Sequence, residues 1–166
     1  MANSLTPQLQ SEKGQVSFIT RFIATGFFSG YSPLIPGTAG SLAGLCLYAI
    51  PALQGTIPLA CAIIAALFIG TAASAKMEAV YGEDPPIVVI DEILGMWISL
   101  FLLPVSTATA VAAFLFFRLF DIVKPPPARS AEKLKHGWGI MLDDVVAGIY
   151  ANLAVRLLLF FFPKLG

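Results

Sequence analysis

HGWGIMLDDVVAGIYANLAVRLLLFFF, residues 136–162, decides what kind of protein this is. The acidic doublet Asp143-Asp144 heads a predominantly apolar run over 140–162. At 1.5 Å rise per residue a helix of that length reaches roughly 35 Å, against a bilayer hydrocarbon core of about 30 Å. A charge near mid-bilayer costs roughly 2.5 to 3.5 kcal/mol on insertion scales, so such a doublet must be paired, hydrated or metal-bound. A second run repeats the device, with Asp91-Glu92 at the head of the apolar stretch 88–104.

The rest of the chain agrees with a membrane setting. Of its 166 residues 57% are hydrophobic and only 12% charged, with mean hydropathy +0.83, whereas soluble domains carry roughly 25% charged residues. The length suits a single membrane-embedded domain over 15–166 behind a mobile tail, residues 1–14, and leaves no room for a second soluble domain. Formal net charge is zero, so bulk electrostatics names no partner; neither nucleic acid nor an obligate protein partner is implied. Cys46 and Cys61 lie in apolar stretches without metal-ligand spacing and read as small hydrophobic filler. The first 15 residues lack a basic region leading into an apolar core, so a cleaved signal peptide is not expected.

Five apolar segments, at about 38–54, 57–75, 88–104, 106–123 and 140–162, predict an all-α polytopic bundle with about five membrane-embedded helices, the shorter ones marginal as spans. Ahead of them, residues 16–28 place Phe18, Ile19, Phe22, Ile23 and Phe27 on one helical face and Ser17, Arg21 and Thr25 on the other. That pattern predicts an amphipathic helix lying in the membrane surface. SGYSPLIPGTAGS, residues 29–41, reads as a loop in which Thr38 caps the next helix. Lys and Arg gather in cytoplasmic loops. With the N-terminus inside, Lys13, Arg21, Lys76, Lys124, Arg129, Lys133 and Lys135 fall on that side, and only Arg156 and Lys164 approach the other. The same threading carries the loop 29–41, both acidic doublets and Asp121 to one cytoplasmic interface.

Each doublet is followed one turn deeper by a small residue: Gly95 lies beneath Asp91, and Gly148 beneath Asp144. Small residues let helices approach closely, so two such helices can offer several carboxylate oxygens to one hard cation. Magnesium fits, because it takes oxygen ligands, keeps water and bridges to phosphate. The plainer alternative is that acids near a helix N-terminus simply meet the helix dipole.

FRLFDIVKPPPAR, residues 117–129, supplies the opposite sign. Arg118, Asp121 and Lys124 recur every three residues, and the prolines then force an extended segment ending near Arg129. Arginine and lysine recognise phosphate; the alternative is an Arg118–Asp121 bridge beside an ordinary basic loop facing anionic headgroups. His136 is the sole histidine and cannot by itself sustain a two-histidine mechanism. The glycine-rich loop 29–41 offers backbone N–H groups at a helix start, a weak anion-binding signal. Neither cysteine has the arginine spacing of a cysteine phosphatase, and no DxDx[TV] is present for an aspartyl-phosphate enzyme. Carboxylates, a metal and basic groups remain.

GTAGSLAGL (37–45), DEILGMW (91–97), FDIVKPPPAR (120–129) and HGWGIMLDDVVAG (136–148), in this order, resemble the phosphatidylglycerophosphatase A family. The resemblance runs from about Gly26 to Tyr150. It implies a magnesium-dependent phosphatase of the bacterial inner membrane, converting phosphatidylglycerophosphate to phosphatidylglycerol and phosphate. On this reading Asp91, Glu92, Asp143 and Asp144 hold the metal. Asp121 is a further ligand or orients Arg118, while Lys124, Arg129, Arg118, Thr38 and His136 are the phosphate-binding candidates. The competing class is a small ion- or proton-coupled transporter, which predicts acids distributed through the depth of the bilayer.

Overall fold

Serines and prolines set where the helices begin. Ser17 accepts a hydrogen bond from the Thr20 N–H and opens α1 (Phe18–Ala24). Ser106 accepts one from the Thr109 N–H and opens α5 (Thr107–Val123). Pro36 starts α2 (Pro36–Tyr48), at a position where its missing N–H would be unpaired in any case. α3 (Thr56–Tyr81) stops at Gly82, whose φ of 99° only glycine adopts readily. α4 (Ile90–Leu100), the single-turn α6 (Ala128–Ala131) and α7 (Trp138–Phe161) complete the set. The computed structural model describes residues 15–166, and among them the regular structure is entirely helical. The tail expected at 1–14 lies outside the described residues.

Two local expectations change. Thr38 does not cap: Pro36 begins the helix earlier, the N-cap is Ile35, and Thr38 sits in the first turn. The loop 29–41 therefore shrinks to a 3-10 turn, Ser29–Tyr31, and a short connection. The surface helix expected at 16–28 is only seven residues long, because Gly26, Phe27 and Phe28 all take positive φ and turn the chain. Its Thr20 and Ala24 are buried with the following Thr25, while Phe18 and Ile19 are about 70% exposed. Polar side chains in and phenylalanine out is the orientation that suits lipid rather than water.

Two helices, α3 with 26 residues and α7 with 24, are long and apolar enough to cross a membrane. By that measure two of the expected five qualify as spans. α2, α4 and α5, with 13, 11 and 17 residues, reach roughly 20, 17 and 26 Å, since α2 already ends at Tyr48 and α4 at Leu100. The outward faces of α5 and α7 are nonetheless apolar. Val111, Leu115, Leu119 and Ile122 of α5, and Ile149, Leu153, Leu157 and Phe160 of α7, form exposed stripes at helical spacing. Such contiguous apolar surface is what a protein in a membrane presents.

α4 is the centre of the bundle. Apart from Glu92 and Ile98 its side chains are buried, and it packs against α7, α2, α3 and α5. Its contact with α7 is backbone-close: a Cβ on Gly148 would stand 2.6 Å from the Gly95 carbonyl oxygen, and one on Gly95 would stand 2.9 Å from the Asp144 carbonyl oxygen. The small residues one turn below each doublet thus face each other. At the lower end of the pair, Asn152 Nδ2 lies 2.8, 3.1 and 3.2 Å from the Phe101, Ser99 and Ile98 carbonyl oxygens. Arg156 Nη2 donates to the Phe101 and Leu102 carbonyls at 3.2 and 3.1 Å. These bonds satisfy carbonyls that the end of α4 leaves without helical partners.

Candidate active site

The start of α4 is pinned from outside the helix. Val89 N–H donates to the Ala24 carbonyl at 2.9 Å, and the Val89 side chain packs where a Cβ on Gly40 would otherwise sit. Asp91 and Glu92 follow in the first turn. Asp143 and Asp144 do not occupy the first turn of their helix, since α7 begins at Trp138. Dipole stabilisation fades beyond the first turn, so end-capping does not account for the second doublet.

Asp91, Glu92 and Asp144 bring carboxylate oxygens within 4.8 Å of one another. Asp91 is 8% and Asp144 2% exposed. Asp91 Oδ1, Glu92 Oε2 and both Asp144 oxygens are buried without a hydrogen-bond partner. Three converging carboxylates of this kind are costly unless a counter-charge joins them.

The nearby cations are already engaged. Arg118 Nη1 lies 2.6 Å from Asp121 Oδ2 and donates to Ser41 Oγ at 3.3 Å. Lys124 Nζ bridges Asp143 Oδ2 at 2.8 Å and Glu132 Oε1 at 3.0 Å. Desolvation pulls the Lys124 pKa down, but its bonds to Asp143 and Glu132 outweigh this and hold it above the usual lysine range. Asp143 thus turns toward Lys124, its other oxygen accepting the Asp144 N–H at 3.0 Å, and stands apart from the carboxylate trio.

These groups line a cavity of about 260 Å³ with six carboxylates, Asp84, Asp91, Glu92, Asp121, Asp143 and Asp144, against Arg118 and Lys124. Pro36 and Gly37 close one side. A Cβ on Gly37 would collide with the Glu92 carboxylate and crowd the Arg118 guanidinium, so glycine there lets α2 start against both.

The remaining candidates lie elsewhere. Arg129 is exposed and lines a second cavity of about 350 Å³ that shares Asp84 and Asp143 with the first. Thr38 is not among the lining residues of either. His136, exposed at φ 62°, does not line the cavity of the carboxylates; it lies in a groove that shares Glu78, Glu83 and Lys135 with the second cavity. Sequence reasoning passed over Asp84 and Glu132, and gave Gly37 no role of its own within the motif 37–45. Asp84 precedes Pro85-Pro86 in what reads as a plain connection, and its only signal is an acid shortly before the first doublet. The donor set fits a hard divalent ion: oxygen ligands alone, several unpartnered, on two elements in backbone contact.

Fold and site together define a helical membrane protein that gathers carboxylates and phosphate-capable cations at one end of its bundle. The acids of the described residues cluster there rather than along the helices, an arrangement that does not favour transport. Residues 22–159 match the family model of Phosphatidylglycerophosphatase A, and the chain belongs to that family. It is 38% identical over 130 residues to an Escherichia coli phosphatidylglycerophosphatase A, covering 76% of each chain. It is 42% identical over 137 residues to the Haemophilus influenzae protein of that name, covering 80% of this chain and 84% of the relative. A Bacteroides thetaiotaomicron protein provisionally named phosphatidylinositol-3-phosphatase is 41% identical over 149 residues, 84% of this chain and 92% of its own. No solved structure matches the chain. Membership makes it a phosphatase acting on a phosphomonoester.

Proposed function

We propose that this protein hydrolyses the terminal phosphomonoester of phosphatidylglycerophosphate to phosphatidylglycerol and phosphate. Asp91, Glu92 and Asp144 hold magnesium, and the site faces the cytoplasm from a multi-pass bundle in a bacterial inner membrane. The observation that carries this reading is the buried carboxylate trio with four oxygens lacking a protein partner. Magnesium there supplies the charge that polarises a phosphoryl oxygen and acidifies water.

The chain's own residues do the rest. Arg118, oriented by Asp121, and Lys124, held by Asp143, present fixed positive charge to the phosphate from the lining of the same cavity. The Pro36–Gly37 wall and the buried floor formed by Asp91 and Asp144 restrict the water that reaches the bond. The basic residues on the connections at this end support a cytoplasmic orientation. α3 and α7 are long and apolar enough to span; α2 and α5, whose outward residues are apolar, and α4, enclosed by its neighbours, complete the five-helix embedding, and Ser106 Oγ, at the start of α5, donates to the Leu165 carbonyl just beyond α7 at 2.8 Å.

The test is phosphate release by purified protein in neutral detergent from short-chain phosphatidylglycerophosphate, with magnesium and with chelator. Release that requires magnesium is expected; equal release in chelator would remove the metal from the reading. The similarity to the Bacteroides protein favours a second substrate, phosphatidylinositol 3-phosphate. A higher kcat/KM on that lipid in the same assay would transfer the assignment to it.

A further inference from the structure

Arg129 stands one cavity away from the carboxylate trio, and that displacement has a use. The second cavity shares Asp84 and Asp143 with the first, so a ligand can cross from one to the other without leaving the protein surface. Its wall carries Arg129, Lys133 and Lys135. The three ion pairs among the described residues use only Arg118 and Lys124, so these three cations face the cavity unpaired. Of the five carboxylates that line the same cavity, Asp143 and Glu132 are engaged by Lys124 and Glu78 by the Gly137 N–H at 2.9 Å, while Glu83 and Asp84 stand outside these ion pairs.

The wall is also anchored. Ala128 is fully buried, and Tyr150 Oη donates to the Pro126 carbonyl at 2.7 Å, which fixes the backbone immediately before Arg129. With so many charged groups lining it, the cavity does not suit an acyl chain. It suits the hydrophilic remainder of a headgroup, and unpaired cations select an anion.

We infer that this second cavity is a subsite for a second anionic group of the substrate, the phosphodiester that joins headgroup to diacylglycerol, with Arg129 and Lys133 as specificity-determining residues. The inference rests on the phosphatase reading above. A lipid with a phosphomonoester and a phosphodiester on one short polyol then spans both cavities, its cleavable phosphate at the trio and its diester at Arg129. A phosphomonoester lipid without the diester occupies only the first.

The experiment compares short-chain phosphatidylglycerophosphate with phosphatidate of the same chain length, the latter as substrate or as competitive inhibitor, in uncharged detergent micelles. For Arg129→Ala and Lys133→Ala, KM for phosphatidylglycerophosphate should rise about tenfold, the low end of a charge-assisted hydrogen bond. Its kcat and the constant for phosphatidate should stay put, and Arg129→Lys should recover part of the loss. Unchanged phosphatidate handling also shows that the variants are folded. An equal rise for both lipids would assign Arg129 to the cleaved phosphate and overturn the subsite; no rise for either would overturn it too. A rise seen only after anionic lipid is added to the micelles would assign the cations to neighbouring headgroups, again overturning it. Failure of the unsubstituted protein to release phosphate from either lipid would instead overturn the underlying phosphatase reading.

Discussion

Asp144 is 2% exposed, and neither of its oxygens has a hydrogen-bond partner, whereas its neighbour Asp143 is bonded to Lys124. The two halves of one doublet therefore have different surroundings. Asp144→Asn should lower kcat by about 100-fold or more, as for removal of a group acting directly on developing charge, and should weaken Mn²⁺ binding followed by electron paramagnetic resonance. Lys124→Ala removes both the partner that orients Asp143 and a charge facing the phosphate, so a loss of roughly 10- to 100-fold in kcat/KM is expected, with Mn²⁺ still bound. Loss of Mn²⁺ binding in Lys124→Ala together with its retention in Asp144→Asn would show that Asp143, not Asp144, meets the metal. Both doublets were legible as residues in the wrong solvent. Their division of labour was not, because it depends on which way each side chain turns from α7 and on Glu132, a residue with no motif around it.

α4 and α7 behave as one unit, joined by the carboxylates above, the Gly95–Gly148 contact in the middle and the Asn152 bonds below. Gly148→Ala puts a methyl 2.6 Å from a backbone oxygen, which cannot swing aside as a side chain would. The helices must separate, at about 1 to 3 kcal/mol for overpacking, lowering the unfolding midpoint in detergent. Because Asp144 rides on α7 and Asp91 on α4, Mn²⁺ affinity should fall with it; unchanged affinity would show that the contact does not set the carboxylate gap. Asn152→Leu removes the donor shared by the Ile98, Ser99 and Phe101 carbonyls, leaving Arg156 to serve Phe101 alone among them, and should cost about 1 to 3 kcal/mol by the same measurement. The glycine contact was readable from spacing, since residues four apart share a face. The Asn152 clamp was not: its acceptors are backbone carbonyls some fifty positions away, and every residue type has those.

The chain's placement in the bilayer is testable by thiol labelling of intact cells in a Cys46→Ser, Cys61→Ser background. Lys133→Cys, on the connection beside the site, should label only from the cytoplasm. Ser106→Cys, at the opposite end between α4 and α5, should label from the outer side; protection from both sides would mean that this hairpin dips into the membrane without crossing.

Composition and hydrophobic period alone determined that the protein is a helical membrane protein with its acids and bases at one end, because burial in lipid is a property of each segment by itself. Periodicity also located the five main helices, but not their ends, since Pro36, Tyr48 and Leu100 stop or start helices through backbone geometry that hydropathy does not record. Only the tertiary structure decided which carboxylates converge, that Arg129 lines a neighbouring cavity and that His136 lies outside the cavity of the carboxylates. Those are matters of ångström-level distance between segments remote in the chain, and such distances are set by how closely two backbones pack, as Gly95 and Gly148 allow.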